Sequence, residues 1–195
     1  MTGIYKPTSG NIYLNEKEIT GFTPNKIANL GIARTFQNIR LFNSMSVLEN
    51  VLVGMHNSMN VNIIDIILKT RNFKKEEKLK KERAERLLEY TGLVKYTNNR
   101  ASSLPYGYQR RLEIARALAT SPSLLVIDEP AAGMNQKETS DLKDFLDKIN
   151  SDGTSILIIE HDVKLIMNLC SFVTVLDFGK IICEGVPEMV KKNKN

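Results

Sequence analysis

The run Leu124-Leu125-Val126-Ile127-Asp128-Glu129-Pro130 decides how this chain folds. Its four apolar residues follow one another without polar alternation, a pattern typical of a strand covered on both faces in a parallel sheet. A second run, Ile156-Leu157-Ile158-Ile159, leads into Glu160-His161-Asp162, and a charged helix is predicted between the two runs, over residues 136–150. Strand, helix and strand in this order predict an α/β fold with a mostly parallel sheet.

Two adjacent carboxylates, Asp128 and Glu129, end the first of these strands. The carboxyl ends of parallel strands form the edge at which open α/β sheets bind ligands. Asp128 has the chemistry to hold Mg²⁺ on a nucleotide, directly or through water, and Glu129 can polarise an attacking water. A plainer interpretation stays open here, in which the two side chains simply cap the next helix.

Weaker signals predict the elements on either side of these strands. Upstream we expect a short strand over residues 11–18, a short helix over 23–31 and a strand over 31–36 that leads into Gln37. Residues 47–119 have a mostly helical pattern, and Ser46 with Glu49 forms a capping-box sequence at their start. Downstream, a third strand over 172–176 and a return strand through 181–182 are expected to finish the sheet.

The composition is that of an ordinary globular chain, with 42% hydrophobic and 25% charged residues among 195. The net charge is +5, and the whole excess falls between residues 69 and 95. Opposite charges alternate there at helical spacing, as in the pairs Glu76/Lys80, Glu77/Lys81 and Glu82/Arg86. We interpret this segment as a solvated helix face, with an electrostatic contact to a membrane surface or an acidic partner as the alternative.

The sequence excludes several classes of protein. Cys170 and Cys183 are too few and too far apart for a disulfide framework or a C-x-x-C metal site, and are expected to be buried thiols. The best apolar stretch, Val61 to Leu68, is too short to span a bilayer and is interrupted by polar residues. The N-terminus has no basic segment followed by an apolar stretch, so the sequence does not predict a secretory signal. Any membrane role is therefore expected to be peripheral.

A glycine-containing turn precedes a predicted helix in the run Leu104-Pro105-Tyr106-Gly107-Tyr108-Gln109-Arg110-Arg111-Leu112. The backbone N–H groups and the dipole at such a helix start favour a phosphate. The alternative is a plain amphipathic helix, with Leu112, Ala115 and Leu118 packed inward and the arginines outside.

Together these motifs resemble those of ABC ATPases, and they occur in that family's order over nearly the whole chain. Gln37 resembles the Q-loop glutamine, residues 104–109 the signature loop, and residues 124–129 the Walker B strand. Residues 131–135 resemble the D-loop, and His161 the switch histidine. The resemblance implies a P-loop NTPase core with a mostly parallel sheet and an α-helical signature subdomain. It divides the chain into residues 1–44 (partial ATPase core), 45–118 (signature subdomain) and 119–195 (the rest of the core).

The resemblance also implies a role for each matching residue. Glu129 is expected to be the general base, His161 to contact the γ-phosphate, and Asp128 and Gln37 to support Mg²⁺ on ATP. Taken alone, Gln37 would be interpreted as a surface glutamine after a strand and His161 as a helix-capping residue; their order relative to Asp128 and Glu129 favours the functional roles. The signature residues are expected to contact ATP held by a second protomer in a head-to-tail dimer; they are Leu104, Pro105, Tyr106, Gly107, Tyr108 and Gln109. The D-loop residues are Ala132, Gly133, Met134 and Asn135.

Within the family, the run Tyr-Gly-Tyr-Gln-Arg-Arg at 106–111 and the run Glu-Pro-Ala-Ala-Gly-Met-Asn at 129–135 are most similar to ATP-binding subunits of branched-chain amino acid importers. This implies work on the cytoplasmic face of the cell membrane with transmembrane permease subunits and a second ATP-binding subunit, identical or not. A periplasmic or surface substrate-binding protein is expected as an indirect partner, and nucleic acid is not.

One motif of the family is missing from these 195 residues, the phosphate-cradling loop Gly-x-x-x-x-Gly-Lys-Ser/Thr. The Gly179-Lys180 pair is no substitute, because Ile181 follows it and Thr174 stands where the first glycine belongs. We therefore expect Met1 to fall inside the helix after that loop, with the loop and a central strand missing. We further expect these residues alone to be poorly soluble and without ATPase activity. Pro105 and Asn135 are smaller departures, at positions where the family commonly has serine and aspartate.

Two other functions stay open at this point. The first is a non-transport ABC protein acting on ribosomes or nucleic acid, for which the basic helix offers a contact. The second is a non-catalytic fragment that binds a membrane subunit through the region from Gln37 to Glu49.

Overall fold

The computed structural model describes residues 2–55 and 70–192. Its strands are β1 (Tyr13–Leu14), β2 (Lys17–Glu18), β3 (Ile32–Arg34), β4 (Leu124–Asp128), β5 (Ser155–Ile159), β6 (Val173–Asp177) and β7 (Lys180–Gly185). Its helices are α1 (Pro24–Asn29), α2 (Val47–Gly54), α3 (Arg71–Tyr90), α4 (Tyr106–Leu118), α5 (Gln136–Ser151), α6 (Val163–Leu169) and α7 (Pro187–Lys192). Two short 3₁₀ turns, Val94–Tyr96 and Ala101–Ser103, connect α3 to α4.

The central sheet is parallel, in the order β3-β4-β5, which confirms the predicted α/β fold with a mostly parallel sheet. The middle strand, β4, is buried on both faces. Leu125 and Ile127 pack against α5 on one face, in a cluster that includes Phe145 and Leu146. Val126 joins a separate cluster on the other face with Ile19 and Ile27. Each such buried side chain contributes about 1.5–3 kcal/mol, which fixes the position of the strand's carboxyl end.

Three expectations about strands were wrong in detail. Residues 11–18 form a two-stranded hairpin, because Asn15 and Glu16 adopt positive φ and turn the chain back. The second apolar run, β5, is not covered on both faces, since Leu157 and Ile159 are 40% and 47% exposed. Strands β6 and β7 pair only with each other in the part of the chain that the structure describes, so they do not finish the central sheet.

The helices α2, α3 and α4 pack into a second layer with its own apolar core. Val47, Val51, Leu88 and Leu112 are fully buried there. The predicted capping box starts α2: Ser46 accepts from the N–H of Glu49, whose side chain accepts from the N–H of Ser46. Charged side chains cover most of the outer surface of α3, as the alternating charges predicted. This layer carries α4 to the edge of the central sheet.

Two further expectations concern the cysteines and the membrane. Cys170 and Cys183 are free thiols, and both are half-buried. Among residues 2–55 and 70–192, no helix has the length and hydropathy needed to cross a bilayer. The apolar stretch 61–68 lies outside the described residues.

Candidate active site

The paired carboxylates stand where the sequence predicted, at the carboxyl end of β4. Asp128 is the last residue of the strand, and the N–H of Glu129 donates to the carbonyl of Ile159 on β5 at 2.8 Å. Glu129 has φ +42°, in the left-handed region that residues with a side chain seldom adopt. The pair does not cap the next helix. Asn135 caps α5 instead, in a capping box with Glu138.

Gln37 and His161 both approach Glu129 from other parts of the chain. The Gln37 amide Nε2 donates to Glu129 Oε2 at 2.7 Å. His161 Nδ1 lies 3.6 Å from Glu129 Oε1, and 76% of the histidine side chain is exposed. His161 is not a helix cap, because Asp162 accepts from the N–H groups of Lys164 and Leu165 at the start of α6. The structure thus brings three of the predicted site residues together.

The other carboxylate, Asp128, is paired with a residue that the sequence analysis missed. Arg34 Nη2 lies 2.8 Å from Asp128 Oδ2, and both side chains are partly buried. Arg34 ends β3, the strand directly beside β4. The signal in the sequence was a basic residue at the end of a predicted strand. Predicting that it pairs with Asp128 requires the order of the strands in the sheet, which a single sequence does not give.

Glu160 is a second residue that the sequence analysis missed. Its side chain is only 2% exposed. One carboxylate oxygen accepts from the N–H of Ala131 at 3.0 Å, and the other accepts from the N–H of His161 at 3.2 Å. Glu160 therefore connects the start of the predicted D-loop to His161. The signal was its place at the end of β5, parallel to the end of β4.

The predicted signature turn, residues 104–109, includes the start of α4, which begins at Tyr106 after Pro105. Pro105 makes no side-chain hydrogen bond to the first N–H groups of the helix, and a side chain added at Gly107 would approach Glu138 Oε1 at 3.5 Å. Gln109 folds back, and its Nε2 donates to the Leu104 carbonyl at 2.8 Å. Tyr106 and Tyr108 expose 43% and 36% of their surface.

Within the described residues, no hydrogen bond or ion pair joins this turn to Asp128, Glu129 or His161. The predicted D-loop does lie beside the turn. A side chain added at Gly133 would approach the Tyr106 ring at 3.9 Å. The predicted residues therefore form two groups within one chain, the carboxylate group on the sheet edge and the signature turn.

The expectation that the arginines of α4 face outward was wrong for Arg110. This side chain is completely buried and lies 2.8 Å from Glu113, which is 2% exposed. The two opposite charges, one helical turn apart, partly offset the cost of burying each other. Leu112 and Ala115 are fully buried, as predicted.

The oxygen-bearing side chains at the strand end suit Mg²⁺, which also takes water and phosphate as ligands, better than they suit a metal bound by protein atoms alone. The described residues contain no cluster of three or more His, Cys, Asp or Glu that could hold an ion by themselves. Mg²⁺ prefers oxygen ligands and is commonly held by one or two carboxylates together with phosphates and water. Asp128 supplies a carboxylate there, and the Gln37 amide has an oxygen of the same preference.

Comparisons with known proteins find a matching family and several similar chains. The family model described as "ABC transporter" matches residues 1–132. The high-affinity branched-chain amino acid transport ATP-binding protein BraF of Pseudomonas aeruginosa is 44% identical over 99% of this chain and 76% of its own length. The corresponding protein LivG of Escherichia coli is 42% identical over the same shares of the two chains. A solved nucleotide-free ATP-binding cassette from an ABC transporter superposes with a TM-score of 0.81, at 32% identity, covering 97% of this chain and 75% of that one.

Proposed function

The chain belongs to the ABC transporter family, and from that premise we propose that it is the ATP-binding subunit that drives import of branched-chain amino acids. One observation carries the ATPase part of the proposal. Gln37 and His161, 124 positions apart in the sequence, both approach Glu129 at the carboxyl end of a buried parallel strand. The choice of substrate is supported by the two relatives, which are named for branched-chain amino acid transport.

The residues at the strand end have complementary tasks in this proposal. Bound Mg²⁺–ATP supplies the phosphoryl group that is transferred to water. Glu129 orients the attacking water and accepts its proton, and His161, whose Nδ1 lies 3.6 Å from the same carboxylate, would contact the γ-phosphate. Asp128 and Gln37 are the residues that would hold the metal. Arg34 binds one oxygen of Asp128, Oδ2, so Oδ1 is the oxygen through which this carboxylate would serve Mg²⁺.

These residues serve the γ-phosphate and its metal, but the loop that holds the phosphates in place is not among them. None of the 195 residues forms a Gly-x-x-x-x-Gly-Lys-Ser/Thr sequence, so no cradle for the β- and γ-phosphates is present among them. We propose that the signature turn 104–109 faces a nucleotide held by a second ATP-binding subunit. Within one chain, no hydrogen bond or ion pair among the described residues joins this turn to Glu129. That supports the proposal, because the turn and the carboxylates then serve different nucleotides.

A groove beside Gln37 supports a contact with permease subunits at the cytoplasmic face of the membrane. Its volume is about 550 Å³, and it lies between α1, α2 and α4. Phe42 is 44% exposed on its wall, with the Arg116 guanidinium 5.4 Å from the ring centroid. Burial lowers the pKa of Arg116, although nearby Glu113 acts in the opposite direction. A half-buried cation beside an aromatic ring suits a permease helix with apolar and acidic residues.

The permease contact is tested by co-purification with the permease subunits. Phe42→Asp places a carboxylate on the groove wall and is expected to abolish recovery of the permease. Tyr13→Asp is the matched control, because Tyr13 is 58% exposed on the β1–β2 hairpin, away from the groove. Equal recovery with both variants would place the contact elsewhere.

The transport function is tested with an extended chain, in which a strand and a Gly-x-x-x-x-Gly-Lys-Ser/Thr loop are fused ahead of Met1. Produced in Escherichia coli cells without LivG, the extended chain is expected to restore uptake of labelled leucine. Uptake of labelled methionine, measured in the same cells, controls for general effects on transport. Leucine uptake that stays at the level of the cells without LivG, with methionine uptake unaltered, would overturn the proposed substrate.

A further inference from the structure

The ion pair between Arg110 and Glu113 on α4 is buried, and the function proposed so far gives the pair no task at the carboxylates or at the signature turn. Neither charge faces solvent, and the two side chains lie 2.8 Å apart. A buried ion pair is weak evidence for stability, since apolar side chains of similar volume often replace one without loss. The reason for this buried pair therefore has to be found in its other contacts.

Both charges bind the backbone on either side of Gln37. Arg110 donates from Nη1 to the Phe36 carbonyl at 2.8 Å and from Nη2 to the Gln37 carbonyl at 2.9 Å. Glu113 Oε1 accepts from the N–H of Arg40 at 3.2 Å and from the N–H of Phe36 at 3.5 Å. The segment 36–40 is thus held through both its carbonyl and its N–H groups by one helix.

The same helix carries the signature turn at its start. Gln109, next to Arg110, closes that turn through its bond to the Leu104 carbonyl. A guanidinium has several donors in a fixed fork, which suits it to bridging two carbonyls at once. Through these bonds α4 contacts both the signature turn and the segment whose Gln37 side chain reaches Glu129.

We propose that Arg110 and Glu113 are positioning residues that fasten segment 36–40 to α4, so that Gln37 and the signature turn move as one unit. Contact of the turn with a nucleotide on one subunit then alters the placement of Gln37 on Glu129 in its own subunit. The consequence for hydrolysis rests on the proposed function, whereas the fastening itself does not.

The fastening is tested by hydrogen exchange in the 195-residue chain at submicromolar concentration. The variant is Arg110→Met with Glu113→Leu, since either change alone leaves a buried charge without its partner. Leu112→Ala is the control, because Leu112 is fully buried on the same helix and contacts the α2–α3 side. At equal global stability, amides 36–40 are expected to exchange about tenfold faster in the double variant than in the control, with β4 amides unchanged. Equal exchange of segment 36–40 in the two proteins would overturn the proposal.

The consequence for hydrolysis is tested in the extended chain by combining variants. Gln37→Ala and the double variant are each expected to lower kcat at unchanged ATP affinity. Together they are expected to lower kcat no further than one of them does, because both act through the same amide. Effects that multiply would show that the pair does not act through Gln37. An extended chain that binds ATP without any turnover would refute the proposed function, while the exchange result would still decide the fastening.

Discussion

At the scale of single residues, Glu129 is held in a conformation that costs free energy. Its φ of +42° lies in the left-handed region, where a residue with a side chain typically costs about 1–3 kcal/mol. The hydrogen bond to Ile159 and the bond from Gln37 hold it there. Strain of this kind persists where the surrounding structure enforces it, as at sites that need a side chain in one orientation.

Tyr90 gives a residue-scale prediction about pH. Burial and the hydrogen bond to Asp152, with 2.7 Å between the oxygens, raise the pKa of Tyr90 well above its ordinary value. The unfolded chain therefore loses the phenol proton first, at about pH 10, and stability due to Tyr90 is present below that pH and lost above it. Urea unfolding between pH 8 and 11 is expected to show a steeper alkaline fall for the native sequence than for Tyr90→Phe. Identical slopes would contradict the assignment.

At the scale of elements, α5 begins with a residue that has two tasks. Asn135 accepts from the N–H of Glu138, and the Glu138 side chain accepts from the N–H of Asn135 at 2.9 Å. The same residue ends the predicted D-loop. Asparagine and aspartate are about equally good at capping a helix, so the cap permits the aspartate that the family commonly has there.

The cap predicts different outcomes for two substitutions of Asn135. Asn135→Ala removes the side-chain acceptor and is expected to lower the free energy of unfolding by about 1 kcal/mol. Asn135→Asp keeps the acceptor and is expected to leave stability within about 0.5 kcal/mol. Chemical denaturation of both variants measures the difference. A large loss in the aspartate variant would mean that the amide of Asn135 has a structural role of its own.

At the scale of the whole molecule, the central sheet has an exposed apolar edge. Strand β5 pairs with β4 on one side, and Leu157 and Ile159 remain 40% and 47% exposed. In the described part of the chain, β6 does not pair with β5 although Leu176 is 64% exposed on it. Open strand edges with apolar side chains promote association with other chains.

This edge predicts that the 195-residue chain self-associates at micromolar concentration. Changing Leu157 and Ile159 to lysine places charges on the edge and is expected to shift the sample towards monomer in analytical ultracentrifugation. Leu79→Lys is the control, because Leu79 is 47% exposed on α3. A monomeric native chain, or an equal shift with Leu79→Lys, would show that the β5 edge is not the cause.

The sequence predicted the parts of the fold that depend on local patterns. The apolar run of β4, the capping box of α2 and the charged face of α3 all follow from residues close together in the chain. The exposure of β5 could not be predicted, because an apolar run has the same sequence pattern whether or not another element covers the strand. The burial of Arg110 did not follow either, since its partners at 36–37 are more than 70 positions away.

The candidate site was also predictable only in part: the residues that belong to sequence motifs could be identified, and the others could not. Asp128, Glu129, Gln37 and His161 stand in motifs with a fixed order, so the resemblance could single them out before any geometry was known. Arg34 and Glu160 stand in no motif that the sequence analysis used. Their roles depend on strand order and on hydrogen bonds to backbone groups, which only the folded chain defines.

The role of Glu129 is the central claim, and ATP turnover by the extended chain tests it most directly. Glu129→Gln keeps the size of the side chain and removes its capacity to accept a proton, so kcat is expected to fall by about 100-fold or more while ATP still binds. Glu16→Gln, the same change at an exposed turn of the β1–β2 hairpin, is expected to leave turnover unaltered. Undiminished hydrolysis by the Glu129→Gln protein would contradict the account.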